Sequence, residues 1–240
     1  MKVLDLFSGI GGFSMGLERA GMETVAFCEI DPFCRRVLAK HWPEVPCYDD
    51  VQTLTASRLV SDGVGRVDVI TGGFPCQDIS LAGRMRGIDG KKSSMWEELA
   101  RLVEEARPKF VILENSPVLR SRGLDRILSK FASLGYDAEW HCLPLNAIGA
   151  PHRRDRVWVI AYPAGLGDRL PEGQVCTGRN LAQHGTWWGS EPNVCRVDDG
   201  FPNGAHRRRV LGNAVCPTIP EILGRAIIAA ANPVREEIAA

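Results

Sequence analysis

The stretch that decides the fold is Lys2-Val3-Leu4-Asp5-Leu6-Phe7, which runs directly into the glycine-rich segment Ser8-Gly9-Ile10-Gly11-Gly12. Its apolar residues predict a buried strand, and the glycines predict a tight turn. Helical spacing follows from Phe13 to Ala20 and stops at Gly21, a residue typical of helix ends. Strand, turn and helix in this order form the βα unit from which parallel sheets are built.

The same alternation continues along the chain. A strand is predicted from Glu23 to Cys28, and Asp31-Pro32 has the acidic cap and first-turn proline of a helix start. Further strands are predicted at 67–71, 109–113, 138–143 and 156–161, and further helices at 94–106 and 124–134. The pattern predicts an α/β fold with a largely parallel sheet, helices on both faces and functional residues at the carboxyl ends of the strands.

Composition limits the possible classes of function. The chain has 240 residues, 45% of them hydrophobic, and its 29 Lys and Arg balance its 29 Asp and Glu. Any contact with nucleic acid therefore depends on local basic clusters. No apolar run is expected to reach membrane-spanning length. The eight cysteines are scattered without a CxxC pair, which favours a reducing cytoplasm and argues against a metal site.

The composition and periodicity of the sequence change after Tyr162. Residues 163–206 are rich in Gly, Pro, Asn and Trp and show no sustained period. We interpret them as a small irregular region between a main domain, 1–162, and a C-terminal segment, 207–240. In that segment, Thr218-Ile219-Pro220-Glu221 has the spacing of a capping box and predicts a helix that docks back onto the sheet.

The glycine turn and Glu29, at the end of the second strand, form the first candidate site. Glycines let a ligand approach the backbone, and a carboxylate can accept two ribose hydroxyls. The dinucleotide pattern would need glycine at Ser14, so NAD is disfavoured. Without a Walker lysine, S-adenosylmethionine is the better candidate, and Asp50, after a third strand end near residues 46–48, offers a second polar contact. A plain strand-to-helix turn is the alternative.

A second candidate site centres on Cys76, which follows Gly73-Phe74-Pro75 directly after a strand. Glu114 and Asn115 end a neighbouring strand, so they are expected to face the same crevice. A thiolate can attack carbon without a metal, and a nearby carboxyl group can protonate the ring under attack. An inert structural cysteine beside a helix-capping acid is the alternative.

Three basic segments are candidates for a nucleic-acid surface. In His152-Arg153-Arg154-Asp155-Arg156, the side chains of Arg154 and Arg156 point to one side if the chain is extended, and guanidinium groups bind base carbonyls or phosphates. The other two segments are 206–209 and the loop 84–92. Solvated charge clusters are the alternative explanation.

On these motifs the chain resembles the cytosine-C5 DNA methyltransferases, over nearly its whole length and in the family's order. Residues 5–13 resemble the family's cofactor motif, residues 73–77 its nucleophile motif and Glu114-Asn115 its acid motif. Residues 151–156 are similar to its arginine motif, and Gly212-Asn213-Ala214-Val215 with Pro217 resembles its last motif.

The resemblance implies a Rossmann-like, S-adenosylmethionine-dependent methyltransferase sheet with a small irregular target-recognition region. It implies a DNA (cytosine-5-)-methyltransferase in which Cys76 attacks C6 of a flipped cytosine, Glu114 hydrogen-bonds the base, and Arg156 and Arg154 hold it. The implied cofactor site consists of Phe7, Gly9, Ile10, Gly12, Glu29, Ile30, Asp50, Pro75, Asn213 and Ala214. The expected partner is double-stranded DNA, with no metal and no membrane, and the expected form is a cytoplasmic monomer.

The chain also departs from the family pattern. His152 stands where the family usually has Gln, and Ser116 stands where a small apolar residue commonly follows Glu-Asn. The interval between the arginine motif and the last motif is short for a target-reading domain. Two alternatives therefore stay open: a tRNA cytosine-C5 methyltransferase and a non-catalytic DNA-binding relative.

Overall fold

Seven strands of the described residues form one mixed sheet. The computed structural model describes residues 1–75, 95–150, 153–165 and 210–231. The strands are β1 (Lys2–Leu6), β2 (Glu23–Cys28), β3 (Cys47–Tyr48), β4 (Val69–Gly72), β5 (Phe110–Asn115), β6 (Tyr136–Pro144) and β7 (Asp155–Pro163). Each strand predicted from the apolar runs is present within a few residues of its expected bounds.

Six helices pack against this sheet in the same described ranges: α1 (Gly12–Arg19), α2 (Pro32–His41), α3 (Ala56–Ser61), α4 (Met95–Ala106), α5 (Leu124–Ser133) and α6 (Thr218–Ala231). The start of α2 is as predicted, because the Asp31 carboxylate accepts a hydrogen bond from the Phe33 amide at 2.8 Å. Helix α3 was not predicted. Its signal was the Thr55 side chain, which caps the Arg58 amide.

The sheet order is β3-β2-β1-β4-β5-β7-β6. Strands β1 to β5 pair with one another in parallel, whereas β7 runs antiparallel between β5 and β6. The prediction of a largely parallel sheet is confirmed. The reversal at β7 arises because only residues 145–154 link β6 to β7, which is too short for a helical crossover between parallel strands.

Side chains alternate between two hydrophobic layers, one on each face of the sheet. On β5, Val111 and Leu113 join the layer beneath α4 and α5, whereas Phe110 and Ile112 join the layer beneath α1 and α6. The predicted placement of helices on both faces is confirmed. It explains why the strands read as continuous apolar runs in the sequence.

Helix α6 docks back onto the sheet, as the sequence predicted, and it also packs against α1, which was not predicted. A Cβ added at Gly16 would lie 2.1 Å from the carbonyl oxygen of Pro217, so the two backbones are in close contact. The expected capping box is not what anchors the helix, because Thr218 is already its first helical residue. The Glu221 carboxylate accepts from Arg225 at 2.9 Å.

The expectation about membrane-length apolar runs was wrong for the C-terminal segment. Residues 210–231 are long and apolar enough, by length and composition, to span a membrane. Ile219, Leu223 and Ile227 are nevertheless buried against the sheet. The apolar character of this segment thus has an explanation in the core of the fold.

Candidate active site

The glycine turn after β1 adopts a conformation that needs its glycines. Gly9 and Gly11 have φ angles of 55° and 86°, in the left-handed region. A Cβ at Gly11 would lie 2.6 Å from the Trp42 ring, whereas nothing lies within 4 Å of a Cβ at Gly9. Trp42 therefore packs against the turn at Gly11, whereas the side of Gly9 that a Cβ would occupy is open.

Glu29 is held against this turn by backbone amides. Its carboxylate accepts from the amide of Gly9 at 2.7 Å and from the amide of Asp31 at 2.8 Å. Burial raises the pKa of Glu29, while these amide hydrogen bonds oppose the rise. Each carboxylate oxygen keeps lone-pair capacity for a ligand hydroxyl. The next residue, Ile30, leaves 75% of its side chain exposed, which suits a flat apolar ring.

Three more of the predicted cofactor residues, Asp50, Asn213 and Ala214, lie on segments near this turn. Asp50 follows β3 beside Glu29, and its carboxylate caps the Gln52 amide at 2.9 Å. A Cβ at Gly12 would lie 2.2 Å from the carbonyl oxygen of Val215. The segment holding Asn213 and Ala214 therefore reaches the glycine turn.

These features fit S-adenosylmethionine on their chemistry. Glu29 and Asp50 offer acceptors for hydroxyl and amine groups, and Ile30 offers an apolar surface. Gly9 leaves room for close approach to the backbone.

A buried carboxylate beneath the turn was missed as a site residue. Asp5 is 0% exposed and accepts from Ser14 at 2.7 Å and from Thr71 at 3.0 Å, thereby joining β1, α1 and β4. Burial raises the pKa of Asp5 to about 7, against these hydrogen bonds. The available signal was a charged residue inside an apolar strand, which must find polar partners.

The second site is built around Glu114 at the end of β5. Arg156, near the start of β7, places its Nε 2.7 Å from Glu114 Oε1. Burial raises the pKa of Glu114, and the charges of Arg156 and Arg154 oppose that rise. The resemblance implied that both residues contact the same base, and the structure brings Glu114 and Arg156 together. The pairing yields a buried carboxyl group that holds its proton more readily than an exposed one.

Asn115 ties this site to the segment that leads to Cys76. Its side-chain amide donates to the carbonyl of Phe74 at 3.1 Å, and its oxygen accepts from the Ser116 amide at 2.8 Å. A Cβ at Gly73 would lie 3.2 Å from Glu114 Oε2. The chain therefore passes against Glu114 just before Pro75.

Two predicted residues lie outside the described residues: Cys76, the proposed nucleophile, and His152 of the arginine motif. The basic segments at 84–92 and 206–209 lie outside them as well, as does most of the small region 163–206. Within the described ranges, no group of three or more His, Cys, Asp or Glu is placed to hold a metal ion.

Arg101 on α4 is a second residue that sequence reasoning missed. Its guanidinium donates to the carbonyls of Val51 and Leu54 at 3.0 and 2.9 Å, and it pairs with Glu98 and Glu105. It thus fastens the loop after Asp50 to the helix. Its only sequence signal was the spacing to acids three residues before it and four after it.

The strand order is that of a Rossmann-like fold, with the two candidate sites at one edge of the sheet. A sequence profile described as C-5 cytosine-specific DNA methylase matches residues 1–181, and the chain belongs to this family. The resemblance stated from the motifs is thereby confirmed.

Individual relatives agree with this assignment. The chain is 37% identical over 169 residues to Type II methyltransferase M2.BsuMI of Bacillus subtilis, covering 67% of this chain and 42% of that protein. It is 34% identical over 218 residues to Type II methyltransferase M.CviJI of Paramecium bursaria Chlorella virus IL3A, covering 90% and 56%. The chain thus spans about half the length of these curated relatives.

A solved structure extends the comparison of the fold. The S. pombe Dnmt2 methyltransferase superposes with a TM-score of 0.68 at 16% identity, covering 97% of this chain and 99% of that one. At that identity the likeness concerns the fold alone.

Proposed function

We propose that this protein transfers a methyl group from S-adenosylmethionine to C5 of cytosine in double-stranded DNA. The observation that carries the proposal is the pair of buried Glu114 and half-buried Arg156, 2.7 Å apart, beside the segment that leads to Cys76. Family membership supports it.

The cofactor would be held at the glycine turn. Phe7, Gly9, Ile10 and Gly12 would lie along it, Glu29 would accept its ribose hydroxyls, and Ile30 would pack on its adenine. Asp50, Pro75, Asn213 and Ala214 complete the proposed lining. When bound, S-adenosylmethionine supplies an electrophilic methyl group on a sulfonium.

The residues of the second site would prepare the cytosine. The Cys76 thiolate adds to C6 while protonated Glu114 gives its proton to N3, so that electron density moves to C5, which is otherwise a poor nucleophile. After methylation, loss of the C5 proton to a base expels Cys76 as a thiolate, and N3 returns its proton to the Glu114 carboxylate, which restores the neutral aromatic ring. The raised pKa of Glu114 favours the protonated form that this step needs.

Arg156 would have two tasks. In the free protein it compensates the buried Glu114 carboxylate, and with the base bound its guanidinium, together with that of Arg154, would hold O2. Residues 163–206 are proposed to read the target sequence, and a cytoplasmic monomer stays a prediction.

Transfer of tritiated methyl groups to plasmid DNA and to tRNA tests this function. We expect label in DNA, none after Cys76→Ser, and at least a 100-fold loss after Glu114→Gln, because general acid catalysis contributes about 10²–10⁴-fold. Cys34→Ala is the matched control, since that thiol is buried in α2 away from the site, and should keep full activity.

Other outcomes separate the alternatives. Label in tRNA alone would favour the tRNA enzyme, and well-folded protein that labels neither substrate would favour the non-catalytic relative. Bisulfite sequencing of plasmid from expressing cells then gives the sequence context of the methylated cytosines.

A further inference from the structure

A cleft of about 460 Å³ lies beside the second site and takes no part in the chemistry proposed for it. It is formed by the turn that follows β5, by the first residue of α5 and by the outer strand β6. Its lining residues are Pro117, Arg120, Ser121, Leu124 and Trp140.

The cleft presents a cation and an aromatic ring in a fixed arrangement. The guanidinium carbon of Arg120 lies 5.5 Å from the centre of the Trp140 ring. Leu119 is fully buried and anchors the turn, while Arg120 itself is exposed and 39% of Trp140 is accessible. A guanidinium held over a ring loses little freedom when its outward N–H groups bind a ligand.

Local charge indicates the kind of ligand. Residues 117–130 contain four basic side chains and one acid, in a chain whose net charge is zero. Lys130 pairs with Glu104 at 3.7 Å, and Arg120 is the exposed cation that lines the cleft. Planar arginine forks match phosphate oxygens, and nucleic-acid surfaces combine such cations with aromatic rings.

The position of the cleft suits the substrate of the proposed reaction. Its turn begins two residues after Asn115, at the same edge of the sheet as Glu114. Trp140 of β6 pairs with Val159 of β7, which pairs with Leu113, the residue before Glu114. Trp140 therefore lies two strand spacings, about 10 Å, across the sheet from the end of β5, on the face that α5 covers. That length corresponds to about three nucleotide steps of one DNA strand.

We propose that this cleft binds the sugar–phosphate backbone of DNA flanking the target cytosine, with Arg120 on a phosphate and Trp140 against the adjoining deoxyribose. The inference rests on the proposed function for the choice of DNA. It adds a contact from the main domain that carries no sequence information and fixes the position of the duplex.

The salt dependence of binding to a short random-sequence duplex tests the inference without requiring catalysis. Over ~50–200 mM salt, Arg120→Gln should lower the slope of log affinity against log salt by about 0.9, the loss of one phosphate contact. Arg120→Lys should keep the slope and weaken binding. Trp140→Leu should weaken binding less than Arg120→Gln does.

Arg36→Gln is the matched control, because Arg36 is also exposed and lies 5.9 Å from an aromatic ring, that of Phe33, on the opposite face of the sheet. It should leave the slope unchanged. The inference is overturned if the slope is unchanged in Arg120→Gln or if it drops equally in Arg36→Gln. It is also overturned if Arg120→Gln lowers the slope for binding to tRNA but not for binding to the DNA duplex.

Activity distinguishes this failure from failure of the proposed function. If wild-type protein methylates DNA but Arg120→Gln leaves the slope unchanged, only the cleft assignment fails. If wild-type protein methylates nothing and the slope still drops in Arg120→Gln, the cleft assignment stands and the catalytic proposal fails. In both cases, unfolding curves establish that the variants are folded.

Discussion

Replacing Asp5 with asparagine should remove a large part of the pH dependence of stability in this protein. Asp5 is fully buried, and burial raises its pKa from the ordinary 3.8 to about 7. A carboxyl group with a raised pKa in the folded state binds its proton more tightly when folded than when unfolded. Its contribution to stability is therefore fully present below about pH 4 and is lost as the pH rises to about 7.

The structure sets the magnitude. A change from 3.8 to about 7 corresponds to about 4 kcal/mol of unfolding free energy. About 3 kcal/mol of that lies between pH ~5 and pH ~8, the range in which the protein can be studied. Asparagine has nearly the same shape, keeps an oxygen that can accept from Ser14 or Thr71, and does not ionise.

Denaturant unfolding at a series of pH values measures the effect. Between pH ~5 and pH ~8, the unfolding free energy of Asp5→Asn should rise by about 3 kcal/mol relative to that of wild type. Asp68→Asn is the control. Although burial would raise the pKa of Asp68, hydrogen bonds from Lys2 and Lys109 lower it, so its difference from wild type should stay flat in this range. Parallel curves for Asp5→Asn and wild type would refute the reasoning.

Two further predictions concern packing and cofactor binding. Gly16→Ala should destabilise the protein by about 1–3 kcal/mol in denaturant unfolding, because its new Cβ would meet the Pro217 carbonyl at 2.1 Å. The control Gly212→Ala should change stability little, because a Cβ at Gly212 would have open space around it. Equal effects of the two substitutions would contradict the close contact of α1 with α6. Arg101→Lys should weaken S-adenosylmethionine binding several-fold in calorimetry and leave DNA affinity unchanged. The reason is that a lysine cannot bind both loop carbonyls and both acids at once. An equal loss of DNA affinity would instead indicate general unfolding.

The sequence predicted the strands and helices of this fold better than the contacts between them. Apolar runs and glycine turns identified the strands and most helices, because those signals are local. The rule that functional residues collect at strand ends predicted that Glu114 and Asn115 share a crevice with the segment that leads to Cys76, whereas Arg156, near the start of β7, was expected there only from the resemblance to the family. The antiparallel β7, the pairing of Asp5 with Thr71 and the contact of Arg120 with Trp140 depend on strand order and on side-chain packing. None of these has a local signature, so they could not be predicted.

Three buried carboxyl groups have raised pKa values, and the hydrogen-bonding partners of each determine which protonation states and ligands it can accommodate. Asp5 is bonded to two hydroxyls, which can donate or accept, so both of its protonation states can be accommodated. Glu29 is bonded to two backbone amides, which only donate; they fix its orientation and leave lone pairs for a ligand. Glu114 is paired with the Arg156 guanidinium, which is 28% exposed. A base that draws Arg156 onto its own carbonyl would leave Glu114 uncompensated, and burial would then favour its protonated form. Binding of the cytosine would thus itself prepare the proton donor.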